Sequence, residues 1–250
     1  MSKKQSAQGE APVSPWRAAS AAGLGTMIEY YDFQLYGVLA VTLSVLFFHA
    51  GNENAALLST LAVFGGAFLA RPLGGIFFGW FGDKHGRTAA LMFTIVGIGV
   101  ASALMGMLPT YATLGLAAPA LLLRCRLLQG FFAGGEITGA ATYVAECSPP
   151  GKRGFFGAFN PAAATLGLSL ATGVAGLVTA LVGKEAMLDW GWRIPFLLSI
   201  PLIILCVWAR SRIEDSPRFK EMLKSHHPEH SPLSLIVRDY RRPLLQVIAI

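Results

Sequence analysis

Charge is scarce in this sequence. Of 250 residues, 14% are Asp, Glu, Lys or Arg, against roughly 25% in an ordinary soluble domain. Cysteine is rarer still. Cys125, Cys147 and Cys206 lie far apart and form no CxxC pair, which argues against a disulfide scaffold or a zinc site. Lys3 and Lys4 are followed by no apolar run before Trp16, so the start does not read as a cleaved signal peptide and the first apolar block is expected to anchor the protein itself. The net charge of +6 comes with no RNA-binding aromatic motif and no zinc-finger spacing, so it is not read as a nucleic-acid surface. Enzyme signatures are missing as well. Gly97-Ile98-Gly99 lacks the later glycine of a dinucleotide fingerprint and lies inside an apolar block. No serine or cysteine has a recognisable base nearby. A proline breaks His226-His227-Pro228-Glu229-His230 within a polar segment, so that run is not read as a dedicated metal site. No enzymatic activity, cofactor or metal is expected.

What the sequence does contain is apolar residues, 54% of the total, in long blocks rather than in period-3.6 or period-2 stripes. Blocks of about 18 residues or more cross a ~30 Å hydrocarbon core as helices. Six such spans are predicted: 19–48, 55–81, 88–108, 113–145, 155–182 and 194–209. Pro109-Thr110 separates spans three and four, and Ser148-Pro149-Pro150-Gly151 separates four and five. Most of the 28 glycines fall inside the blocks, where they let helices approach closely. The expected fold class is therefore an all-α membrane protein, a six-transmembrane-helix bundle.

Basic residues orient it, because cytoplasmic loops collect Lys and Arg. With the N-terminus inside, fifteen basic residues lie on the cytoplasmic side, including eight from Arg210 to Arg242, against Lys184 and Arg193 opposite. The expected divisions are a cytoplasmic N-terminal segment 1–18, the bundle 19–209, a cytoplasmic linker 210–242 with a surface helix around 216–224, and the start of a seventh span at 243–250. A second membrane half is expected after that linker.

Ionisable groups inside a bilayer cost at least ~2.5–3.5 kcal/mol each, so each is a functional candidate. Glu29 and Asp32 sit three residues apart on one face of span one. Two carboxylates in a poorly solvated site repel, so one is expected to hold a proton near neutral pH. Arg124 and Arg126 in span four point roughly 200° apart, so only one faces a given cavity. Arg126, with Gln129 one turn on, is a candidate anchor for an anionic substrate or for the span-one carboxylates. Glu136 belongs to a different direction. Arg71 precedes Pro72 in span two, where pairing with a carboxylate, snorkelling and a pathway role all remain open. The ladders Gly66-Ala70-Gly74, Gly75-Gly79, Gly130-Gly134 and Gly135-Gly139 read as packing devices. Asn160-Pro161 frees a backbone carbonyl near the start of span five.

Gly79-Trp80-Phe81-Gly82-Asp83-Lys84-His85-Gly86-Arg87 joins spans two and three on the cytoplasmic side. It resembles the signature loop of the major facilitator superfamily, Gly-x-x-x-Asp-x-x-Gly-Arg. Arg126–Gly130 with Gly134-Gly135-Glu136 looks like that family's span-four motif. Glu146 with Pro149, Pro150, Arg153 and Gly154 looks like its next loop, and Glu214–Phe219 is similar to a motif shared with sugar porters. Glu29–Phe33 with Leu35-Tyr36-Gly37, Arg71–Gly75 and Trp190–Phe196 resemble the metabolite:proton symporter subfamily. The resemblance implies the N-terminal half of a twelve-span fold, a 3+3 inverted repeat whose substrate site lies between two six-helix halves. It further implies a proton-coupled symporter of a small organic acid or zwitterionic metabolite in the bacterial inner membrane. Glu29 and Asp32 would couple protons, and Tyr30, Tyr31, Arg126 and Gln129 would meet substrate. Gly79, Asp83, Gly86, Arg87, Glu146 and Arg153 would brace a cytoplasmic gate. The partners implied are a small-molecule substrate, the proton, the lipid bilayer and the missing C-terminal half, with no nucleic acid. A sugar-type facilitator and a non-transporting half-carrier are the alternatives.

Overall fold

A computed structural model describes residues 14–48, 52–212 and 215, and among these every regular element is helical. The elements are α1 (Pro15–Val38), α2 (Ala40–Phe47), α3 (Glu53–His85), α4 (Arg87–Met107), α5 (Tyr111–Leu114), α6 (Ala117–Cys147), α7 (Arg153–Gly157), α8 (Phe159–Ala186), a π-helical turn at Met187–Gly191, α9 (Arg193–Leu197) and α10 (Ser199–Arg210). Among the described residues, four stretches are long and apolar enough to cross a bilayer by themselves: Glu53–His85, Arg87–Met107, Arg153–Gly191 and Arg193–Arg210. Span one qualifies only as the pair α1 and α2, bent by 62°. The remaining expected span is α6. Its 31 residues reach about 46 Å at 1.5 Å per residue, but Arg124, Arg126, Glu136 and Glu146 make it too polar to pass on composition.

Helix ends follow local chemistry. Pro15 starts α1 at the position where a missing N–H costs nothing, four residues before the expected span. Asn52 caps α3, its Oδ1 accepting from Asn54 N at 2.9 Å. Between α3 and α4 the chain turns at Gly86, whose φ of +109° a side chain would strain. Opposite, Arg193 donates to the carbonyls of Gly106 (3.0 Å) and Leu108 (2.7 Å), satisfying the C-terminal end of α4.

Lipid offers no hydrophobic drive for helix association, so close packing and hydrogen bonds carry it. The most extensive pairing is α3 along α6. There a side chain on Gly74 would strike the Phe131 carbonyl, one on Gly130 the Ala67 carbonyl, and one on Gly134 the Arg71 carbonyl. At those three glycines the expected ladders meet backbone to backbone, whereas Gly66, Gly135 and Gly139 receive the side chains of Leu123, Phe78 and Leu91. Gly79 is the exception. Nothing lies within 4 Å of the place its side chain would take, so it does not serve close packing within this bundle. The large apolar residues Leu69, Leu116 and Leu181 are more than three-quarters exposed, the inverse of a soluble surface. On α8, Thr165, Ser169, Thr172 and Thr179 each bond a carbonyl four residues back, at 2.7–3.0 Å. The expected linker from residue 216 on, its surface helix, its histidine run and the seventh-span start lie outside the described residues, as do Lys3 and Lys4.

Candidate functional site

By residue count the ionisable groups cluster around mid-helix. Asp32 lies 17 residues after Pro15 and 15 before Phe47 (32 − 15 and 47 − 32), and Arg71 lies 18 after Glu53 and 14 before His85 (71 − 53 and 85 − 71). Asp32 is completely buried, and neither of its oxygens has a well-formed hydrogen bond. Its polar neighbours are Ser102 of α4 and Arg126 of α6. Isolating a carboxyl in this way carries a steep desolvation cost for its charged form.

Around Asp32 runs a polar network. Arg126 donates to Gln129 Oε1, and Gln129 Nε2 donates to Ser102 Oγ at 2.7 Å. The Arg126 guanidinium lies 3.9 Å from the Tyr36 ring centroid, 5.0 Å from Phe33 and 5.2 Å from Phe64, a stack that holds the cation by ring electrostatics. Arg126 and Gln129 are both buried, while Arg124 is exposed, as their helical spacing requires.

Glu29 is buried too, but it has a partner. Arg71 Nη2 donates to its Oε1 at 3.2 Å, linking α3 to α1. Arg71 stacks on Phe33 (4.4 Å) and Phe68 (4.9 Å). Of the two tyrosines, Tyr31 turns away. Its buried hydroxyl donates to the Pro195 carbonyl at 2.7 Å, tying α1 to α9, and so it is not brought together with Tyr30. Tyr30 instead lines a cleft of about 330 Å³ with Thr26, Arg153, Asn160 and Pro161. Asn160 Oδ1 is buried without a hydrogen-bond partner among the described residues.

A further charge escaped the sequence reading. Arg210 was expected in the cytoplasmic linker, but it is fully buried and closes an ion pair with Glu136. Thr94 Oγ1 donates to Glu136 Oε2 at 2.6 Å, and Arg210 also reaches the carbonyls of Ala21 (3.4 Å) and Leu91. A side chain at Gly25 would collide with both partners. The only signal in the sequence was Glu136 itself, an intramembrane carboxylate with no assigned cation.

At the ends of α3 and α4, Arg87 pairs with Asp83 at 2.8 Å. Asp215 Oδ1 accepts from Thr88 N at 2.8 Å, and a side chain at Gly86 would meet the same carboxylate. Asp83, Gly86 and Arg87 are thus brought together with the segment after α10. Glu146 sits in the last turn of α6, and Arg153 opens α7 on the cleft beside Tyr30.

Residues 18–232 match the family model described as "Sugar (and other) transporter". The chain is 44% identical over 205 residues to the proline/betaine transporter of Salmonella typhimurium strain LT2, covering 82% of this chain and 41% of that protein. It is 38% identical over 237 residues to the shikimate transporter of Escherichia coli K12, covering 94% of this chain and 54% of that one. Its fold resembles the structure of the proton:xylose symporter XylE bound to 6-bromo-6-deoxy-D-glucose, with a TM-score of 0.75 at 20% identity, over 84% of this chain and 46% of that chain. The chain thus spans about half the length of the curated relatives it matches. It is an integral membrane protein of the sugar (and other) transporter family within the major facilitator superfamily, and it corresponds to the N-terminal half of that fold.

Proposed function

We propose that this chain is the N-terminal half of a proton-coupled carrier that moves a small organic acid or zwitterionic metabolite across the bacterial inner membrane. The observation that carries this reading is Asp32, fully buried and without a well-formed hydrogen bond among the described residues, beside Ser102 and the Arg126–Gln129 pair. A carboxyl so placed gains and loses a proton at a cost that a change in its surroundings can reverse. Asp32 and Glu29 carry the proton in this scheme. Arg126 and Gln129 are buried and bonded to each other, so in this scheme they set the environment of Asp32 rather than bind solute. Tyr30 is the aromatic left to face solute.

Asp83, Gly86, Arg87, Glu146 and Arg153 form the cytoplasmic brace, with Gly79 reserved for contact with the other half. The N-terminus lies inside. Moving Arg210 out of the cytoplasmic count leaves fourteen basic residues (15 − 1) against two. The division into a cytoplasmic N-terminal segment, bundle, linker and seventh span is part of the same proposal.

Names of relatives support the solute class: proline, betaine and shikimate carry a carboxylate. The family description and the xylose symporter support a second reading, a sugar substrate. One experiment separates them. The complete carrier, in proteoliposomes, is given labelled proline, glycine betaine, shikimate or xylose with an imposed inward proton gradient. Uptake of a carboxylate that collapses with a protonophore is expected. Gradient-independent xylose uptake alone would establish the facilitator reading instead.

A further inference from the structure

The two cations near mid-bundle are not equivalent. Arg126 has no exposure, and its two terminal nitrogens are taken by Gln129 and by the Phe33 carbonyl at 3.5 Å beneath three aromatic rings; only its Nε, like that of Arg71, has no partner among the described residues. Arg71 keeps 21% of its side chain exposed and binds Glu29 through one nitrogen only. Arg71 Nε has no protein partner among the described residues, and neither has Glu29 Oε2. Each member of the pair therefore holds unused capacity. A guanidinium fork is matched by a carboxylate making two parallel hydrogen bonds, and Glu29 supplies one of them. Phe33 and Phe68 fix the position of the fork from its faces.

We propose that Arg71 is the anchor for the carboxylate of the transported solute, and that Glu29 is the internal placeholder occupying it in the empty carrier. This rests on the proton-coupled reading above and names the residue that joins solute to proton. An entering carboxylate takes over the Arg71 N–H donors, and Glu29 loses its hydrogen-bonded counter-ion. The other charged groups facing Glu29 are Glu136 of α6, Arg210 of α10 and Asp32 of its own helix. Glu136 and Arg210 neutralise each other, which leaves the like charge of Asp32. The Glu29 carboxylate then accepts one proton from the water side and becomes a neutral carboxylic acid, while Arg71 stays charged throughout. One carboxylate and one proton have entered, so the summed charge of Arg71, Glu29 and the solute carboxylate stays at zero. By linkage, a proton on Glu29 frees Arg71 and tightens solute binding by the same factor.

The test is equilibrium binding to the purified complete carrier, by calorimetry in buffers of different ionisation enthalpy, with proline, glycine betaine and shikimate as probes. Wild type is expected to take up about one proton per carboxylate bound. Glu29→Gln is expected to bind more tightly with no proton uptake, and Arg71→Gln to bind about 10- to 100-fold more weakly. Arg71→Lys keeps the charge, and with it the pairing that supports the fold, but loses the fork. It is expected to bind about tenfold more weakly, and wild-type affinity in either Arg71 variant overturns the assignment. Proton uptake that survives Glu29→Gln but vanishes in Asp32→Asn overturns it too, and leaves the proposed function standing. Wild-type binding without proton uptake, or no binding of any of the three probes, overturns both.

Discussion

Arg210, in the last turn of α10, reaches through the bundle to Glu136 of α6 and forms an ion pair with no exposure on either side. Thr94 and the carbonyls of Ala21 and Leu91 complete the contact, so four helices converge on one pair of charges. Breaking such a pair leaves the surviving charge buried and uncompensated, at about 3–5 kcal/mol. Arg210→Ala and Glu136→Ala are each expected to lower the thermal unfolding midpoint in detergent sharply. The double variant Glu136→Met/Arg210→Met should recover much of that loss. Equal and additive losses would show that the ion pair is not what holds these helices together.

Asp32→Asn removes the proton while keeping the shape of the side chain. In the complete carrier it is expected to abolish uptake driven by a proton gradient while preserving exchange of solute down its own gradient. PH-dependent uptake at wild-type level by this variant would sink the assignment of Asp32.

Gly134 and Gly79 make a matched pair. A methyl on Gly134 would strike the Arg71 carbonyl, whereas one on Gly79 meets nothing. Gly134→Ala should cost about 1–3 kcal/mol, the usual range for overpacking, and pull Arg71 off Glu29 because it wedges the same turn of α3. Gly79→Ala should leave the stability of this bundle unchanged. Unfolding midpoints of the two variants, measured side by side, check both.

Asp215 caps α4 through Thr88 N. Asp215→Ala is expected to cost about 0.5–2 kcal/mol and to speed amide hydrogen exchange in the first turn of α4. Asp215→Asn retains an acceptor and should keep most of the protection. Exchange rates at Thr88 and its neighbours report the difference directly.

Spans were legible because bilayer thickness sets a length that apolar runs must match. Buried partners were not, because they are set between helices far apart in the chain. Arg210 looked like one more basic residue before a polar segment, and only Glu136, 74 residues earlier, makes it internal. Tyr31 read as a cavity residue because its neighbours Tyr30 and Asp32 did. Successive helical residues, however, point about 100° apart, and that angle turns Tyr31 onto Pro195. The 62° bend at Leu39 has no proline beside it, only Gly37 two residues earlier, which is one glycine among many in the apolar blocks. The pairing of Arg71 with Glu29, one of several roles open to Arg71 in the sequence, is what the three-dimensional arrangement selects.

On α8, Thr165, Ser169, Thr172 and Gly176 fall three or four residues apart and share one exposed face. Each hydroxyl is already bonded to its own helix, and Gly176 has open space before it. A neighbouring helix laid there meets hydroxyls already satisfied within α8 and, at Gly176, no side chain. Such a face offers a neighbour contact area rather than free hydrogen-bond donors.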